Sequence, residues 1–152
     1  MPVVKYNAVV PAGVDRVWKT LRQFGRISEW HPAIHSSEIE ENHPDGLPGC
    51  KRRLVLADGA VLREQLLMVD EGRQTFSYRF IESPLPVNNY VATISLIPLS
   101  GRNETVIVWH ASFEARSHNE ANELEETVMV LMTSGHRSLA EFLEKPESSA
   151  ER

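Results

Sequence analysis

The alternation of hydrophobic and polar positions changes period along this chain, and each change marks a predicted element. Val3 to Val10 is a β-branched, apolar run closed by Pro11, which predicts a strand. From Gly13 to Phe24 the period becomes helical. Val14, Val17, Trp18, Leu21 and Phe24 share one face, Arg16, Lys19 and Arg22 the other, and Gly25 is a stop signal. Arg26 to Ile34 carries Trp30, His31 and Pro32 and reads as one or two helical turns broken by the proline.

The text then turns β-like. His35 to Glu41 predicts a polar strand, followed by turn residues from Asn42 to Gly49. Lys51 to Ala57 and Ala60 to Val69 flank Asp58-Gly59, a short hairpin signal. Arg73 to Glu82, Tyr90 to Pro98 and Glu104 to Ala115 supply three more strands, with Ser83-Pro84-Leu85-Pro86 as a loop. Short connections between them predict antiparallel neighbours. Ser117-His118-Asn119-Glu120 has the capping-box pattern, and Ala121, Leu124, Val128, Leu131, Gly135, Leu139 and Phe142 advance by threes and fours. A long helix over Asn119 to Glu144 is expected, ended by Pro146. Its apolar face must lie on a curved sheet, with either a filled core or a cavity between them. The fold class is α+β: one domain over residues 1–145 and a flexible tail over 146–152.

Composition narrows the function more than it names it. The chain has 152 residues and 16 Lys+Arg against 21 Asp+Glu, a net charge of −5 without any basic run, so no nucleic-acid partner is expected. No stretch approaches the roughly 20 apolar residues that span a bilayer, so no stable membrane anchoring is expected. The N-terminus lacks a signal-peptide pattern, and the lone Cys50 excludes an internal disulfide framework. Both fit a cytoplasmic location. The 6 histidines show no zinc-type spacing, and phosphate loops and Gly-x-Ser-x-Gly elbows are absent, so neither metal nor cofactor is expected.

Glu64 is the residue hardest to dismiss. It sits in the apolar strand face Ala60, Leu62, Leu66, Met68, where an ionised carboxylate is costly unless paired. It is either half of a buried ion pair or a general acid with a raised pKa. A two-residue turn at Asp58-Gly59 would set Arg53 opposite it. A three-residue turn ending at Gly59 sets Arg52 there and brings Leu54 and Leu56 onto the face of Leu62, which gives the better core. Trp109, Ala111 and Phe113 are assigned inward, with Phe76, Tyr78, Phe80, Ile94 and Leu96 on neighbouring walls. Val128, Leu131, Met132 and Gly135 form the helical floor. Gly135 costs about 1 kcal/mol relative to Ala in a helix, so it serves close packing or room for a ligand.

Pro11-Ala12, Trp30-His31-Pro32, Gly49-Cys50-x-Arg52-x-Leu54, Asp58-Gly59-x-x-x-x-Glu64-x-Leu66, Leu85-Pro86-Val87-x-x-Tyr90 and Trp109-x-x-x-Phe113 occur in that order. In this order and spacing the chain resembles the START-like helix-grip (SRPBCC) superfamily, in particular its bacterial polyketide cyclase/dehydrase-like branch. The resemblance covers Val3 to about Leu143. It implies a seven-stranded antiparallel sheet gripping the C-terminal helix around an apolar cavity, and its inward positions agree with Arg52, Leu54 and Leu56. More distantly the chain resembles the plant abscisic-acid receptors. Their cavity lysine corresponds to His31, and Glu64, Tyr90 and Ala92 also carry over. Their long gate loop does not: Ala57-Asp58-Gly59-Ala60 is too short, which argues against hormone-gated phosphatase inhibition.

The expected ligand wall comprises Trp30, Arg52, Leu54, Leu62, Tyr78, Phe80, Tyr90, Ala92, Trp109, Phe113, Val128 and Met132. Three functions follow. The leading one is a carrier or sensor of a small hydrophobic or amphiphilic ligand, including lipid- or polyketide-like molecules. The alternative is a cyclase- or dehydratase-type enzyme with Glu64 and His31 in acid–base roles and Tyr90 polarising a ketone oxygen. The third is a co-chaperone-like interaction domain with a collapsed cavity. Open edge strands leave a homodimer available.

Overall fold

The structure is a computed structural model that describes residues 2–145, so the tail expected over 146–152 lies outside the described residues. Strand β1 (Val3–Val10) leads into helix α1 (Val14–Arg22) and a 3₁₀ segment (Phe24–Glu29). Strands β2 (Ile34–Ile39), β3 (Lys51–Leu56), β4 (Val61–Asp70), β5 (Thr75–Glu82), β6 (Val87–Pro98) and β7 (Thr105–Ala115) follow, and helix α2 (Ala121–Glu144) closes the fold. All neighbours are antiparallel, in the order β1-β7-β6-β5-β4-β3-β2. This is the α+β helix-grip architecture, with short helices between the first two strands.

The β3–β4 hairpin takes the three-residue turn. Leu54 faces Leu62 and Arg52 faces Glu64, while the Leu56 N–H bonds to Ala60 O at 2.8 Å across Ala57-Asp58-Gly59. Gly59 has φ +89°, a left-handed conformation that strains most other residues. Farther along β4 a bulge at Leu67 shifts the register between Leu66 and Met68. The bulge changes the expected face: Met68 turns outward and is 41% exposed, and Val69 takes the inward place opposite Phe76. A second bulge begins β6 three residues earlier than expected. Asn89 sits at φ 54° between Asn88 and Val91, which brings both Val87 and Tyr90 to the inner face.

The expected capping box does not form. A 3₁₀ turn (His118–Glu120) precedes α2, the Glu120 N–H bonds to the Ser117 carbonyl at 3.1 Å, and the Ser117 side chain makes no capping bond. The α-helix therefore starts at Ala121, with Glu120 at the cap position. Its buried face runs Leu124, Val128, Met132, Gly135, Leu139, Leu143, a slightly different stripe from the expected one through Leu131 and Phe142.

Helix α2 lies closest to β1 and β7. There His136 Nε2 bonds to the Val9 carbonyl at 2.8 Å and Nδ1 lies 3.1 Å from the Tyr6 hydroxyl. The sheet's other edge, β2, is backed by the 3₁₀ segment, where the Ser37 hydroxyl donates to the Gly25 carbonyl at 2.7 Å.

Candidate functional site

Because α2 lies closest to the β1–β7 side, space is left between the helix and the other half of the sheet, and a cavity remains there. Its volume is about 160 Å³. Leu54 and Leu56 of β3, Leu62 and Glu64 of β4, and Tyr78 and Phe80 of β5 form one wall, with Tyr90 and Trp109 beside them. Leu131 and Met132 of α2 form the floor, and Ile27, His31, Ala33 and Ile34 close one end. Ser83-Pro84-Leu85 and the exposed Thr127 stand at the rim.

The polar groups in this wall are few, and most are already engaged. Arg52 and Glu64 are both nearly inaccessible to solvent. Arg52 Nε and one terminal nitrogen each reach Glu64 Oε1 at 2.7 Å, and the other terminal nitrogen donates to the Phe24 carbonyl at 2.9 Å. The guanidinium also lies 3.7 Å from the Phe24 ring centre and 5.2 Å from that of Tyr78. Burial pushes the Glu64 carboxyl up, and the neighbouring Arg52 pulls it back by charge and hydrogen bonding. Such a pair is costly to desolvate, and breaking it is costlier than keeping it.

His31 is buried at the end of the cavity. Its Nδ1 accepts the Ala33 N–H at 3.3 Å, which places the proton on Nε2, on the side of the Leu131 carbonyl of α2. Burial, and secondarily the Arg52 charge, lower its pKa to about 4, so the ring is neutral at pH 7. Gly135 makes that approach possible: a Cβ there would stand 3.0 Å from His31 Nε2 and 3.2 Å from Trp109 Cη2. Of the two uses expected for this glycine, close packing is the one in place.

Tyr78, Phe80, Tyr90 and Trp109 are the aromatic part of the wall. The Phe80 and Tyr90 rings stack at 3.7 Å and 5°, with Phe113 behind Tyr90 at 5.9 Å. Burial and then the Glu64 charge keep the Tyr78 hydroxyl protonated, and burial does the same for Tyr90. The Tyr90 hydroxyl makes no hydrogen bond among the described residues. The Trp109 indole nitrogen is buried near the Tyr78 hydroxyl and has no partner in normal hydrogen-bond geometry among the described residues.

Of the residues expected at the ligand, the structure brings Arg52, Leu54, Leu62, Tyr78, Phe80, Tyr90, Trp109 and Met132 to the cavity, together with Glu64 and His31. Four others lie off it. Ala92 is buried in the sheet between Tyr78 and Ala111, Phe113 is screened by Tyr90, and Val128 is packed in the core. Trp30 lines a much smaller neighbouring void shared with Arg52 and Tyr78. Ile27, Ala33, Ile34 and Thr127 were not anticipated. They sit where no period is readable, or on the polar flank of α2. No group of three or more metal-ligating side chains forms among the described residues, and no helix there is long and apolar enough to cross a membrane.

A family model described as polyketide cyclase / dehydrase and lipid transport matches residues 1–144. The chain belongs to this polyketide cyclase/dehydrase family. A search of curated proteins finds no sequence match. Among solved structures, a Bacillus thuringiensis protein is 23% identical over 95% of this chain and 100% of its own, with a TM-score of 0.80. The Zhui aromatase/cyclase of Streptomyces sp. R1128 is 20% identical over 98% and 97%, with a TM-score of 0.80. Norcoclaurine synthase of Thalictrum flavum, solved with dopamine and hydroxybenzaldehyde, is 19% identical over 97% and 89%, with a TM-score of 0.74. At these identities the likeness establishes the fold. Membership in the polyketide cyclase/dehydrase family makes this a ligand-binding fold whose occupant its own walls must specify.

Proposed function

We propose that the chain binds and holds a small, largely apolar molecule in the cavity between α2 and the β3–β5 half of the sheet. The observation that carries this reading is a cavity of about 160 Å³ whose charged groups are already bonded to protein. An apolar cavity of about 150 Å³ holds a benzene-sized guest. A multi-ring polyketide or long-chain lipid would require the walls to part, so the reading favours a single-ring molecule over the larger ligands the family name suggests.

Enzymatic turnover is the second reading, supported by the hydroxyls of Tyr78 and Tyr90 and by Glu64 Oε2, which takes no part in the Arg52 contacts. It ranks second because His31 is a buried neutral ring bonded through Nδ1 to the Ala33 N–H, and Glu64 is already engaged by Arg52. An interaction domain with a collapsed interior is disfavoured by the open volume.

The test is native mass spectrometry of protein purified from its own host, followed by denaturing extraction. A stoichiometric molecule of about one ring, recovered unchanged after incubation, is expected. Glu64→Gln should then alter its affinity little. A molecule recovered in altered form, with the change abolished by Glu64→Gln, would overturn the carrier reading in favour of the acid–base one.

A further inference from the structure

We propose that the cavity selects a neutral ligand whose carbonyl or hydroxyl oxygen accepts hydrogen bonds from the Trp109 indole N–H and the Tyr78 hydroxyl, and that it rejects carboxylates. The inference rests on the binding reading above and adds the polarity of the ligand to its size.

Trp109 projects from β7 into the cavity wall and is 6% exposed, and its indole nitrogen is buried without a hydrogen-bond partner among the described residues. A buried donor left unpaired is unfavourable, so an acceptor arriving there gains more than it would from a donor already satisfied. The Tyr78 hydroxyl lies beside it. Burial and the Glu64 charge hold that hydroxyl protonated, so it too can donate. Two donors on one wall, amid leucine, methionine and phenylalanine, match one neutral oxygen on an otherwise apolar molecule.

Charge decides against an acid. Among the described residues Arg52 is the one cation in the wall, and its bonds to Glu64 Oε1 and the Phe24 carbonyl, with Phe24 against its face, leave it committed. The imidazole of His31 is neutral, and its Nδ1 is taken by the Ala33 N–H. A ligand carboxylate would thus be desolvated near the Glu64 charge with no free cation to meet it.

The test titrates ¹⁵N-labelled protein at pH 7 with ethylbenzene, acetophenone and benzoate, three probes of similar shape. It reads affinity and the indole N–H resonances of the 3 tryptophans, with Trp109 assigned by Trp109→Phe. Acetophenone should bind about tenfold more tightly than ethylbenzene and shift the Trp109 indole proton, and benzoate should bind at least about tenfold more weakly than acetophenone. Tyr78→Phe and Trp109→Phe should each narrow the ratio of acetophenone to ethylbenzene affinity. Equal binding of acetophenone and ethylbenzene, an unmoved Trp109 indole, or benzoate binding as well as acetophenone would overturn the proposal. In those cases ethylbenzene binding would leave the size-based reading standing. Failure of all three probes to bind would overturn both.

Discussion

The two halves of this sheet meet the same helix and end up differently. On the β1–β7 half, α2 is drawn onto the strands and His136 is tied to Val9 and Tyr6. On the β3–β5 half the space between helix and sheet holds a polar pair, a neutral histidine and an open cavity. Adjacent residues of α2 serve the two halves: His136 reaches the packed side, and Gly135 lets His31 and Trp109 approach on the hollow side. What separates the halves is whether each inward side chain meets the helix directly or meets another side chain that stands between.

The sharpest break in that comparison should come from Arg52→Met, which leaves Glu64 buried without its partner. It should cost about 3–5 kcal/mol in urea unfolding, and adding Glu64→Leu should restore most of the loss. Next comes the contrast of the two halves. Leu139, fully buried and away from the cavity, should cost about 3–4 kcal/mol as Leu139→Ala, and the half-exposed cavity-wall Leu62 only about 1 kcal/mol as Leu62→Ala. Equal losses would mean that the cavity is filled in solution.

The pH dependence follows from His31. Folded, it titrates near pH 4, and its ordinary value is 6.5, so the unfolded state holds more protons between those values. Stability is therefore full above pH 6.5 and falls as pH drops through the window, by about 3 kcal/mol in all. His31→Gln should flatten that part of the curve, as measured by denaturant unfolding from pH 7 to pH 4. The smallest effect is expected at Gly135→Ala. Its gain of about 1 kcal/mol in helix propensity should be reversed into a net loss of about 1 kcal/mol by the encounter with His31 and Trp109.

Much of the fold was legible because local pattern and global register agree. The limits of β1 and the Arg52–Glu64 pairing follow from β-branched runs and from counting residues across Ala57-Asp58-Gly59. The bulge at Leu67 was not legible, because Leu66, Leu67, Met68 and Val69 are all apolar and no alternation marks the slip. The early start of β6 hid behind two prolines and two asparagines, which read as loop. Ser117 and Glu120 formed the capping pattern without the bonds, since the intervening turn is 3₁₀. In the site, Glu64, Arg52 and His31 stood out as polar residues at apolar positions. The burial and the Arg52 charge that hold His31 neutral arise from packing between distant parts of the chain, and no local spacing reveals them. Ala92, Phe113 and Val128 carry the right inward parity but sit behind other side chains, a distinction that periodicity does not make.

The central claim is that the β3–β5 half encloses open, apolar space, and xenon tests it most directly, because it occupies dry apolar cavities of this size. A crystal pressurised with xenon should show a well-occupied peak bounded by Leu54, Leu62 and Met132, with none on the β1–β7 side of α2. An unoccupied cavity, or Tyr90 and Leu131 collapsed into it, would contradict the account.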